Sequence, residues 1–139
     1  MSEKLCALRK IGGGTLKETT LWTNSSPSAT FAEQTVTLSD NISNYDYIKI
    51  EWCESTSALT NKSSIMVSAS EFTRNKNPYY NAHDTTPAIL GRGANNVSYL
   101  RYIAYESDTQ VLFGHALRGN ATGVDNTFTI PLNIYGVKM

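Results

Sequence analysis

The sequence predicts an all-β chain, an antiparallel β-sandwich of jelly-roll-like type. Three observations carry that prediction. Apolar residues alternate with a period of two along most of the chain. The alternating segments are short, and Ser, Thr, Asn and Gly separate them. Helix-like apolar spacing is confined to residues 1–11, where Leu5, Leu8 and Ile11 precede Gly12, Gly13 and Gly14.

Taken in order, residues 19–23 and 35–38 read as the first two short strands. Between them lies TLWTNSSPSATF, residues 20–31, which puts Trp22 at a strand end and then a run of small polar turn formers. Residues 47–54 form the clearest strand. Ile48, Ile50 and Trp52 fall on one face and Lys49, Glu51 and Cys53 on the other. Residues 64–70 alternate Ile65, Val67 and Ala69 against Ser64, Met66 and Ser68. Two runs rich in Tyr, Ile, Val and Phe, residues 97–106 and 109–117, are joined by a polar hairpin turn at Ser107 and Asp108. Residues 128–130 and 134–137 close the chain, with Pro131 breaking or bending the pairing between them. Trp22, Ile50, Trp52 and Phe128 are the expected anchors of one core. Residues 71–96 are the longest irregular stretch, and Gly91-Arg92-Gly93 reads as a turn. Loops of that length inside a domain are often functional. The predicted organisation is a segment 1–14 ending in a glycine hinge, followed by a single domain over residues 15–139.

Composition narrows the classes of function. The chain has 139 residues, and only 17% are charged, against ~25% in typical domains. Twelve basic residues balance twelve acidic ones, so no nucleic-acid or anionic-membrane partner is expected. No apolar run approaches the ~18 residues of a membrane span. The first residues, MSEKLCALRKIGGG, lack an apolar core followed by a cleavage site, so neither a signal peptide nor export is expected. Two cysteines, Cys6 and Cys53, could pair, but one pair gives weak support for a disulfide. Cys53 fits as a small apolar strand residue.

Candidate chemistry is sparse. His115, in VLFGHAL, shares a face with Val111 and Phe113 and reads as a structural strand histidine. His83 and Asp84 are adjacent, and neighbours on an extended chain point apart. Glu51 and Glu54 alternate with Lys49 as a solvated face does, rather than as a paired carboxylate couple. GxSxG and HExxH motifs are missing, and the glycine runs lack phosphate-loop spacing. No catalytic residue, metal site or cofactor is expected. Asn24, Asn41, Asn61, Asn96 and Asn120 each begin an Asn-x-Ser/Thr triplet. They are read as turn residues rather than glycan acceptors. Tyr79 and Tyr80, flanked by Asn81, His83 and Asp84, combine flat apolar rings with short polar groups. That mix suits a sugar; the alternative is that the tyrosines cover the end of the sandwich.

Four stretches, ETTLWTN (18–24), FAEQTVTL (31–38), NYDYI (44–48) and FTIPLNIYGVK (128–138), resemble small β-sandwich structural and receptor-binding proteins of tailed phages and prophages. The resemblance covers most of residues 18–138 and is weakest across 71–96. It implies a virion component of tail-fibre or baseplate type, made in the bacterial host cytoplasm. It also implies a homotrimer that contacts other virion proteins and a host cell-surface glycan. On this view TLWTNSSPSATF is scaffold, with Trp22 and Phe31 as core anchors either side of a polar corner. A carbohydrate-binding module of other origin, or a glycan-degrading enzyme, are the alternative readings.

Overall fold

The computed structural model describes residues 16–74, 97–119 and 123–139, together with the backbone of a strand at 88–92. Nine strands are found there: β1 (Lys17–Thr23), β2 (Gln34–Thr37), β3 (Tyr47–Ser55), β4 (Lys62–Ser68), β5 (Ala88–Arg92), β6 (Ser98–Ser107), β7 (Gln110–Phe113), β8 (Leu117–Arg118) and β9 (Phe128–Lys138). Two helical pieces accompany them, a 3₁₀ turn at Ile42–Asn44 and a four-residue helix α1 at Ala69–Phe72.

All the pairings are antiparallel. One sheet has the order β1-β9-β3-β4; the other runs β2-β7-β6-β5, with β8 also on β6. The fold is the β-sandwich that the alternation predicts. β1 pairs with the last strand and β2 with β7, a jelly-roll-like nesting. β3–β4 and β5–β6 instead pair strands consecutive in the chain. Inward-facing side chains of both sheets meet in one core. Ile48, Ile50 and Ile134 come from the first sheet, Ile103, Val111 and Phe113 from the second, and Phe72 from α1, all fully buried.

Irregularities in the pairing explain where simple alternation fails. Along β1, Thr20 pairs with Tyr135 and Trp22 with Ile134, which leaves Leu21 as an extra residue. A bulge of this kind re-aims the side chains that follow it. Leu21 is buried and Trp22 half-buried, so Trp22 packs on the core but is not enclosed by it. Along β9, Asn133 pairs with Glu51 and Pro131 with Trp52, leaving Leu132 as the extra residue. Proline lacks an N–H to donate and is tolerated in a sheet at a bulge. Pro131 therefore bends a single eleven-residue strand and does not divide it in two.

Several other sequence expectations are corrected. Cys53 is fully buried beside Trp52, as a small apolar residue would be, although alternation put it on the face of Lys49 and Glu51; Ser55 is buried too. Cys53 is a free thiol whose pKa burial pushes up. Phe128 is only half-buried and lies outside the core cluster, its ring stacked on Tyr99 at 4.1 Å. The strand expected over 64–70 ends at Ser68, whose hydroxyl accepts from Glu71 N at 3.2 Å and caps α1. The run expected over 109–117 is interrupted at 114–116, and both pieces border β6. Gly91 and Arg92 lie in β5, opposite Tyr99 and Ser98, rather than in a turn. Residues 1–14, with Cys6 and the glycine hinge, lie outside the described residues.

Candidate functional site

The corner between β1 and β2 encloses a concavity of defined chemistry. Its frame begins with Asn24. The backbone N of Asn24 donates to Leu132 O at 2.8 Å and its Nδ2 to Pro131 O at 2.9 Å. Both acceptors sit at the β9 bulge, so one distortion anchors another. Asn24 Oδ1 then accepts from Ser26 N at 2.9 Å, an Asx turn. Ala29 N donates to Ser26 O at 3.0 Å, and Phe31 N to Asn126 O at 3.0 Å. The corner is braced at each end and in its middle.

Aromatic packing sets its floor. Trp22 and Phe31 meet edge to face, their centroids 6.0 Å apart, and both pack on Phe113, at 5.7 and 5.6 Å. Such contacts add about 0.5–1.5 kcal/mol each beyond buried area. They also fix the indole plane. Between the corner and these rings is a cavity of about 280 Å³, lined by residues 22–26, 29–31 and Gln34. No residue of that lining is titratable. Thr23 Oγ1 donates to Asn133 Oδ1 at 2.8 Å, and Asn133 Nδ2 to Glu51 Oε1 at 2.8 Å, which ties the rim to the outer face of the first sheet.

Beneath Phe31 lies Arg101, which is fully buried, its guanidinium carbon 5.2 Å from the ring centroid. It donates through Nε to Thr129 O at 2.9 Å, through Nη1 to Gly114 O at 2.6 Å and through Nη2 to Phe128 O at 3.1 Å. Burial pushes its pKa down to about 10, so it remains a cation at neutral pH. Thr129 has a positive φ of 48°, a conformation β-branched residues seldom adopt. Such a residue costs on the order of 1–3 kcal/mol and persists only where its surroundings hold it. Arg101 does that holding. Sequence reasoning missed this residue because Arg101 sits in an alternating strand with nothing around it to mark a buried cation.

The sequence-predicted site residues Tyr79, Tyr80, Asn81, His83 and Asp84 lie outside the described residues, as do Asn96 and Asn120. His115 is placed between β7 and β8 rather than within a strand, with Nδ1 3.1 Å from Asn126 Nδ2. Asn126 Oδ1 accepts from Ala116 N at 2.8 Å, so the histidine belongs to a loop-bracing group. Glu51 is engaged with Asn133, and Glu54 accepts from Asn61 Nδ2 at 3.1 Å. Phe31 is the buried anchor expected of it, whereas Trp22, expected in the core as well, packs on it only half-buried; the cleft they floor was not anticipated. A half-buried tryptophan after a bulge is its signature, and the bulge is not visible in sequence.

Among the described residues no helix is long and apolar enough to cross a membrane. No protein-family model matches the chain, and no curated protein matches it in sequence.

Proposed function

We propose that the chain is a non-catalytic receptor-binding module of a tailed-phage particle, of tail-fibre or baseplate type. The observation that carries the binding part of this reading is the braced, aromatic-floored cleft at the β1–β2 corner. A concave site with a rigid apolar floor and converging polar groups is the usual form of a small-ligand site. The virion part rests on the resemblance of residues 18–24, 31–38, 44–48 and 128–138 to phage sandwich proteins. On this reading the protein is made in the host cytoplasm, joins other virion proteins and works as a symmetric homo-oligomer, a trimer. Linked copies raise the avidity of a weak site by about 10²–10⁴ without new contacts.

The decisive experiment is competition on host cells. Purified protein at micromolar concentration should slow adsorption of the particle, and light scattering should return three times the monomer mass. An unchanged adsorption rate, with no antibody labelling of the particle, would overturn the reading. Binding to glycans without particle labelling would favour a carbohydrate-binding module of other origin.

A further inference from the structure

The geometry points to a saccharide site in the β1–β2 corner cleft, one that takes a single uncharged pyranose ring on Trp22. This rests on the reading of the chain as a binding module and specifies the ligand. Three features of the cleft select that chemistry.

The first is the floor. Trp22 is half-buried and packed on both Phe31 and Phe113, which also touch each other, and these contacts hold its indole in place. The exposed part of an indole is an apolar surface with a negative π-face, which the slightly positive C–H bonds of a pyranose ring complement. Because the indole is already ordered, little side-chain entropy is lost on binding.

The second is the set of polar groups left over once the corner is built. Both ends of the Asn24 side chain are consumed in bracing. The hydroxyls of Ser25, Ser26 and Thr30, the Gln34 amide oxygen and the Trp22 indole N–H make no hydrogen bond to any described residue. They supply donors and acceptors in mixture, the pattern that sugar hydroxyls satisfy, since each gives and takes a hydrogen bond.

The third is charge and size. With no ionisable side chain in the lining, the site offers nothing to a carboxylate, sulfate or phosphate. Its volume of about 280 Å³ lies just below the roughly 300–1,000 Å³ of drug-sized ligand pockets. One ring fits, with its neighbours in the chain emerging into solvent.

The test is a nitrogen–proton NMR titration of the full chain with glucose, galactose, mannose, rhamnose and N-acetylglucosamine, beside glucuronic and sialic acids. At least one neutral sugar should shift the Trp22 indole N–H and the amides of residues 24–34. Trp22→Ala risks the fold, because Phe31 and Phe113 pack on that ring. Thr30→Tyr carries the test instead: it fills the cleft from an exposed position. It should weaken binding about tenfold or more, the loss of one to two hydrogen bonds and the stacking contact, with an unchanged melting midpoint.

Shifts confined to residues 75–87, a preference for the acidic sugars, or undiminished binding by Thr30→Tyr would each overturn the assignment. So would no shift with any neutral sugar. If the protein then still blocked particle adsorption, the saccharide site would fall and the receptor-binding reading would stand.

Discussion

Arg101 Nε donates to Thr129 O over 2.9 Å, joining β6 of one sheet to a left-handed residue in β9 of the other. Two further carbonyls, Gly114 O and Phe128 O, close around the same guanidinium. A planar fork of donors meets three converging acceptors that no apolar side chain could satisfy. Arg101→Met should therefore destabilise the protein by about 3 kcal/mol or more, since buried carbonyls lose their donors. Arg101→Lys keeps the charge but not the fork, and should recover less than half of the loss. Chemical denaturation measures both; a methionine variant as stable as the parent would show that the carbonyls find other partners.

Tyr45 gives a second prediction. Its ring lies over Gly136 so closely that a Cβ there would meet ring carbons at 2.5 Å. Gly136→Ala should cost about 1–3 kcal/mol through overpacking. In a Tyr45→Ala background the same change should cost far less. The coupling in that double-mutant cycle is the quantity to measure, and simple additivity would refute the contact.

Trp52 and Ile50 lie in the core, Ile50 fully buried and Trp52 nearly so. Trp52→Ala should lower stability by roughly 3–5 kcal/mol through the cavity it leaves. An unchanged melting midpoint would place Trp52 outside the core.

The fourth prediction concerns pH. Tyr45 Oη donates to Asp40 Oδ2 at 2.9 Å, and Asn41 N and Asn44 Nδ2 donate to Oδ1 at 2.8 and 2.9 Å. These bonds favour the carboxylate and hold Asp40 below its ordinary 3.8. The folded state thus binds the proton less well than the unfolded one. Stability from this group is full above that ordinary value and is lost as pH falls through the lower folded value. Asp40→Asn should be the less stable protein at neutral pH, and the gap should narrow on acidification below about pH 4. Melting curves along a pH series would show it, and a gap independent of pH would contradict it. At the alkaline end the sign reverses. Desolvation raises the Tyr45 hydroxyl above 10.0, so its contribution is present below that value and is lost as pH rises past it.

The sandwich and its main strands were legible because a half-buried strand writes its two faces into the sequence at every second residue. Ile48, Ile50 and Trp52 show this most plainly, and the structure buries all three. The polar corner after Trp22 was legible too, because Asn and Ser bond to their own backbone whatever the rest of the chain does. A sequence cue for α1 was also present: Ser68 and Glu71 hold the spacing of a capping box.

The tertiary structure alone decided what lies between those certainties. Which strand pairs with which depends on partners far apart in the chain, as when Trp22 meets Ile134. A bulge is a mismatch between two strands, so neither strand records it alone. The bulge at Leu21 sets how far Trp22 is covered, and the bulge at Leu132 brings Pro131 O and Leu132 O to Asn24. Arg101 is a cation in an alternating strand until Gly114, Phe128 and Thr129 turn their carbonyls toward it. Period and turn chemistry are local and survive in one dimension; the cleft and the buried guanidinium exist only where distant segments converge.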